Sequence, residues 1–305
     1  MTREGPLSQP TADAAAAALI ALLLATGLGG CRGGADETAT ARTVVDVRAV
    51  DYAFHGVPDS IPSGWTTFRV RNDGRHVHLL ELARLPEGVT AQDWHDGFET
   101  IRTLTRQLRA GAIDTSALVA RRPEWAGAAE GVGGLGYLAP GRTASLTTRL
   151  EPATYALTCY VRTPDGRRHW ERGMERALTV TADSTGAPPP TADLTLRLSG
   201  YDIHADGSLR AGPQTIAVHF GGPTPRDPPF QDVHLARMSG DTTPDSLAAW
   251  TNEPEGPAPA DFLGGTIAMA AGNTAYLTVE VRPDRYAWVS HASEETGMLR
   301  TVTVE

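Results

Sequence analysis

The sequence predicts an all-β chain of two sandwich modules in tandem. Three observations predict it: short segments whose apolar residues alternate, turn-forming clusters between them, and a second half that repeats the first. Val45, Val47 and Ala49 form one face of a strand, Phe68 and Val70 of another, and Leu146, Thr148 and Leu150 of a third. Pro58-Asp59-Ser60, Asn72-Asp73-Gly74 and Pro140-Gly141 punctuate them, the pattern of a sandwich or barrel. Pro140 to Tyr155 then aligns without a gap on Ala271 to Tyr286, placing Gly141 on Gly272, Leu146 on Leu277, Pro152 on Pro283 and Tyr155 on Tyr286. Gly173-Met174 matches Gly297-Met298 beyond a loop of different length, and upstream Val77-His78-Leu79 resembles Val233-His234-Leu235.

The proline-rich stretch 183–191 is too polar for a core strand and stiff enough to space domains, so the modules are placed at 43–182 and 192–305. The first carries an insertion. Thr90 and Asp93 suit a helix N-cap and its third helical position, Trp94, Phe98, Ile101 and Leu108 fall near helical spacing, and Gly111 is a stop. Trp125 and the glycine-rich stretch 131–136 lead back to the next strand. In the second module the equivalent is a short turn-helix around Asp245 to Trp250.

Composition removes whole classes of chemistry. The chain has 305 residues, a size for one large domain or two modest ones, and a formal charge of -9. All 27 basic residues are arginine, so lysine-dependent phosphate loops, Schiff bases and Ser-x-x-Lys acyl transfer are excluded. The acidic balance and the lack of a dense basic run argue against nucleic acid, whose binding scales with neutralised phosphates.

Ala14 to Leu28 is an apolar run of about fifteen residues, a length suited to a signal h-region and short of the ~20 that a spanning helix needs. It ends in Leu28-Gly29-Gly30-Cys31, which resembles a bacterial lipoprotein signal. The resemblance implies a signal peptide over 1–30, lipidation of Cys31, a tether over 31–42 and a lipid-anchored protein on the periplasmic side of the cell envelope. Arg32 after the lipid cysteine, where aspartate signals inner-membrane retention, leans towards the outer membrane. With Cys31 lipidated, Cys159 is the only remaining thiol and no disulfide can form within the chain. A lone thiol in an oxidising compartment persists for a reason, and metal ligation is one.

His78, Cys159, His169 and Met174 offer a thiolate, two imidazoles and a thioether, the donor set of a blue-copper site, in which soft sulfur favours copper. His78 follows the Asn72-Asp73-Gly74 turn on a central strand, whereas the other three cluster on the loop joining the last two strands of the module. In Tyr155-Ala156-Leu157-Thr158-Cys159 and His169-Trp170-Glu171-Arg172-Gly173-Met174 the chain resembles the cupredoxin family. That resemblance implies two Greek-key cupredoxin-like sandwiches, copper held equatorially by His78, Cys159 and His169 with Met174 axial, and one-electron transfer with a redox protein as partner. The chain departs from the family between Cys159 and His169, where nine residues, Tyr160 to Arg168, replace the usual two to four. The Asp165-Gly166 turn is expected to fold the excess into a small hairpin. His76, two residues from His78 and on the same strand face, is an alternative ligand.

Each residue also has a plainer reading: Cys159 as a small buried hydrophobe, His78 as a hydrogen-bonded strand residue, Met174 as core filler. The second module is an internal control, because Ser290 stands where the cysteine would be, while His234, His291 and Met298 remain as relics or a weak second site. It is expected to be structural. Enzymatic readings find less support. A multicopper oxidase needs several His-x-His pairs and histidines flanking its cysteine, but Cys159 sits between Thr158 and Tyr160, and His76-Val77-His78 is the only such pair. No Gly-x-Ser-x-Gly elbow or His-Glu-x-x-His helix is present. The electron carrier has two rivals: a copper carrier or sensor with an exchangeable ion, and a metal-free interaction module that uses the inserted helix as its contact surface.

Overall fold

The protein is described by a computed structural model over residues 41–222, 231–291 and 297–305. Cys31, the signal segment and the tether up to residue 40 lie outside the described residues. The first module contains β1 (Thr43–Val50), β2 (Ala53–His55), β3 (Ser60–Asn72), β4 (His78–Arg84), β5 (Glu130–Leu138), β6 (Thr143–Leu150), β7 (Ala153–Thr158) and β8 (Glu175–Ser184). The second contains β9 (Leu194–Ser199), β10 (Asp202–Asp206), β11 (Gly212–Phe220), β12 (Val233–Met238), β13 (Asp261–Thr266), β14 (Thr274–Val281), β15 (Asp284–Val289) and β16 (Leu299–Val304). The fold is all-β and of the sandwich type, as the alternation predicts. In β1, Val45, Val47 and Ala49 are buried while Val44, Asp46 and Arg48 face out.

Two sheets face each other. One runs β10-β9-β11-β14-β6-β3 and continues through β1 to β2; the other runs β3-β8-β7-β4-β5-β13-β12-β15-β16. Strand β3 belongs to both. Its start pairs in parallel with β8, and from Gly64 onward it pairs antiparallel with β6. The bend falls at Gly64, where φ is +112°, a conformation that an L side chain resists.

The modules meet edge to edge in both sheets. In β6 and β14, Leu146 lies opposite Leu277, the residue that repeats it, with Thr147 opposite Tyr276 and Ser145 opposite Thr278. In the other layer Leu135 of β5 pairs with Thr266 of β13, and Leu138 with Leu263. Equivalent strands therefore pair across a pseudo-two-fold axis, and the described residues of both modules belong to one compact unit. Arg142 Nε donates to Asp261 Oδ1 across the seam at 2.9 Å. The repeat extends to detail: the Tyr155 hydroxyl donates to Glu151 O at 2.9 Å, and that of Tyr286 to Arg282 O at 2.8 Å, each pinning the corner before its strand.

The inserted helix α1 spans Ala91–Arg109 and begins with the expected capping box between Thr90 and Asp93. Its buried residues are Trp94, Phe98 and Leu104; Leu108 is half-buried, one turn beyond the contact. A second short helix, α2 (Thr115–Arg121), is capped by Asp114 and buries none of its residues, so its sequence carries little periodic pattern. In the second module the turn-helix is α3 (Pro244–Asn252), capped by Thr243. No helix among the described residues is long and apolar enough to cross a membrane. The glycine-rich stretch 131–136 does not lead to a strand; it lies within β5. A Cβ on Gly134 would stand 2.0 Å from Leu80 O, and one on Gly136 2.3 Å from His234 Nδ1, so missing side chains let neighbouring backbones close up.

Candidate metal centre

Cys159 follows the end of β7, beside the start of β4. Its N–H donates to Met174 O at 3.3 Å, and its carbonyl accepts from Trp170 N–H at 2.9 Å. The long excursion between Cys159 and His169 closes on itself. His169 N–H donates to Val161 O at 2.9 Å, Thr163 N–H to Arg167 O at 2.8 Å and Gly166 N–H to Thr163 O at 2.7 Å. Gly166 takes the left-handed conformation, φ +74°, that this turn requires. The hairpin returns the chain to Cys159, and a 3₁₀ turn, His169–Arg172, then ends at Gly173, φ +111°. Met174 N–H bonds back to His169 O at 3.2 Å.

Three donors converge where this loop meets β4. His78 Nδ1 lies 3.1 Å from His169 Nδ1 and 4.0 Å from Cys159 Sγ, and His169 Nδ1 lies 3.4 Å from the same sulfur. The three ligand atoms fall within 4.8 Å of one another. Water is excluded, with exposures of 1% for His78 and 0% for Cys159 and His169. His78 Nε2 lies 3.0 Å from Asp51 Oδ1, which assigns the ring proton to Nε2 and leaves the Nδ1 lone pair facing the cluster. Asp51 is held in turn by Arg75 N–H at 3.1 and 3.0 Å. Leu79 N–H points at Cys159 Sγ from 3.5 Å, a bond that favours a thiolate.

Burial dominates the electrostatics. It pushes the Cys159 thiol up to about 12, against the opposing N–H groups of Leu79 and Val161. It also pushes His78 down to about 4, against Asp51, and His169 down to about 3, helped by the neighbouring imidazoles. Two imidazoles kept neutral present lone pairs rather than protons, and a cation would supply the charge that this pocket otherwise withholds from the thiolate. His169 Nε2 is buried without a hydrogen-bond partner. The residues fit a small N,N,S-ligated metal ion of soft or borderline character.

Of the remaining residues singled out in the sequence, Met174 is fully buried on the same loop, joined by backbone bonds to both Cys159 and His169. His76 lies outside the three-residue group. It precedes β4, is half-buried, and stacks on Tyr52 with ring centroids 5.9 Å apart; its centroid is 5.8 Å from that of His169. Asp51, which orients His78, went unnoticed in the sequence: it is 27 positions away in an ordinary turn, and no local pattern marks it.

The second module fills the equivalent place with hydrogen bonds. Asp232 stands two residues before His234, the register position that His76 occupies before His78. Its Oδ2 lies 3.1 Å from His234 Nε2, while Oδ1 accepts from Ser290 Oγ at 2.8 Å and from His291 N–H at 2.7 Å. His234 Nδ1 accepts from Tyr137 N–H at 3.2 Å, and the Tyr137 hydroxyl lies 3.1 Å from His291 Nδ1. Despite its burial, the two histidines hold the Asp232 carboxyl down to about 2.

No protein-family model matches the chain, and no curated protein matches it. Among solved structures it is similar to reduced auracyanin from the photosynthetic bacterium Roseiflexus castenholzii, at 20% identity and a TM-score of 0.29, over 46% of this chain and 98% of the other. Auracyanin A of Chloroflexus aurantiacus, described as a "blue" copper protein, shares 13% identity at a TM-score of 0.28, over 46% of this chain and 100% of its own. A multicopper oxidase aligns over 86% of this chain and 88% of its own, at 13% identity and a TM-score of 0.23.

Proposed function

We propose that this chain is a copper protein of the bacterial cell envelope that carries single electrons, with one metal centre in its first module and a metal-free second module. The observation that carries the proposal is the buried convergence of His78, Cys159 and His169, two imidazoles and a thiol with ligand atoms within 4.8 Å. Met174, on the same loop, is the fourth ligand by resemblance to the cupredoxin family. Copper, when bound, supplies a one-electron couple. The protein's part is to hold the donors still: Asp51 orients His78, Leu79 N–H stabilises the sulfur, and the closed hairpin 160–168 seats His169. A rigid, dry donor set lets the charge change without ligand exchange. The partner is then a redox protein met through a small, transient interface. Lipidation of Cys31 tethers the chain to the membrane, on the outer-membrane side by the residue that follows it.

The copper carrier or sensor reading expects an exchangeable ion. The donors' burial favours a retained one. A Cys,His,His set also suits zinc, which is colourless and redox-silent, so the test must see the electron configuration. The experiment is a visible spectrum of the 43–305 fragment titrated with Cu(II) without reductant. An intense thiolate-to-copper band saturating at one equivalent and abolished by Cys159→Ser is the expected result. Absence of the band, or its survival in Cys159→Ser, overturns the assignment.

A further inference from the structure

Helix α1 holds the segment that carries His169 and Met174 at three places. Trp94 Nε1 donates to Glu175 Oε2 at 3.0 Å and Arg102 Nη2 lies 3.4 Å from Glu175 Oε1, so both oxygens of the carboxylate directly after Met174 are held by α1. About two turns on, Arg109 Nη2 donates to Glu171 Oε1 at 2.8 Å and to Gly166 O at 3.0 Å, reaching the 3₁₀ turn that begins at His169 and the tip of the hairpin. Between these, the Phe98 ring packs 5.2 Å from that of Trp170, the residue after His169.

Glu175 is 7% exposed. A carboxylate is buried at that depth only when its partners are in place, so the charge is tolerable in one register of helix against loop and costly in any other. Glu171 adds to this by accepting Arg168 N–H at 2.8 Å at the start of the turn, so the group that α1 holds also shapes the turn presenting His169.

We infer that α1 is a clamp that fixes the ligand loop before any metal arrives and keeps the ion resident afterwards, with Trp94, Arg102 and Arg109 as positioning residues. The inference rests on the metal reading of the site and adds to it the cause of its rigidity. Among the described residues α1 hydrogen-bonds to none of the three donor atoms; it acts on the residues immediately beside them. This separates a clamp from a cover. A helix that only shields apolar surface, such as Leu85 and Ala156 against Trp94 and Phe98, would on loosening weaken the whole sandwich evenly.

The test uses the full chain with Trp94→Phe, which removes one donor and keeps a ring, and Arg109→Gln, which removes a partly exposed contact and leaves the core untouched. Gln92→Ala, on the outer face of α1, is the control. In the metal-free protein, hydrogen exchange at the Trp170, Gly173 and Met174 amides is expected to accelerate at least tenfold in both variants, while amides of β3 and β6 and the control stay at wild-type rates. In copper-loaded protein, release of Cu(I) to an excess of chelator is expected to accelerate by a similar factor. Unchanged loop protection, or equal acceleration in loop and core strands, overturns the clamp. If the wild type binds no copper, the metal reading fails by itself, and the exchange measurement still decides the clamp.

Discussion

Asp51 controls the direction in which His78 presents its lone pair. An imidazole whose Nε2–H is held by a carboxylate keeps its Nδ1 free for the cluster, and loss of such a partner typically costs 10- to 100-fold in metal affinity. Asp51→Ala is therefore expected to weaken copper binding by about that factor in a chelator competition while leaving the far-ultraviolet circular dichroism unchanged. The two buried histidines, His78 and His169, are expected to make the metal-free protein acid-sensitive. Their folded-state pKa values, about 4 for His78 and about 3 for His169, lie below the unfolded value of 6.5. The unfolded chain takes up protons first, so stability is full above pH 6.5 and falls as the pH drops towards 3, by on the order of 3 kcal/mol per histidine. Denaturant midpoints of metal-free protein between pH 7 and 4 check the sign, and bound copper should flatten the slope at its upper end because it competes with those protons. His78, Cys159 and His169 were legible in the sequence because each is a chemically distinctive type in a family order. Asp51 and Asp232 were not, since an aspartate in a turn is ordinary until its neighbours in space are known.

At the scale of elements, local chemistry and close approach explain most of the structure. The capping box of α1 and the Asp165-Gly166 turn were readable because each is written within four residues. In α1 Leu104 is buried, while Leu108, one turn further on, is half-buried. The glycines of β5 illustrate the opposite limit. As sequence they resemble a connection, yet they form a strand interior because β4 and β12 approach more closely than a Cβ permits. Gly136→Ala should accordingly destabilise the protein by about 1–3 kcal/mol in chemical denaturation, by pushing His234 and Gly265 away from β5. Gly131→Ala, which meets nothing within 4 Å, is the matched substitution and should cost far less.

The whole molecule is organised by its repeat. Both sheets run through both modules, and the seam pairs Leu146 with Leu277 across the pseudo-axis. A single module therefore exposes two unpaired edges, β5 and β6, each complementary to something very like itself. The fragment 43–182 is expected to self-associate through those edges, giving a dimer in sedimentation velocity where the 43–305 protein is a monomer; a monodisperse monomeric fragment would show that the edges need no partner. In the second module, Asp232 occupies the centre that the first leaves to three donors, bonded to His234, Ser290 and His291 N–H. Asp232→Ala removes the partner of buried polar groups and should cost about 3–5 kcal/mol without changing copper stoichiometry.

The fold class, the repeat, the capped insertion helix and the histidines and cysteine that converge at the candidate metal centre can be read along the chain. Those depend on periodicity and on chemistry carried by residues close together or unusual in kind. That Asp51 rather than solvent faces His78, that α1 holds Glu175 and Glu171, that His76 stands outside the donor group, and that the two modules share both sheets emerges with the folded arrangement alone. These pairings join residues far apart in the chain whose side chains are individually unremarkable to read. Their energies come from burial and geometry, which exist only once the chain has closed around them.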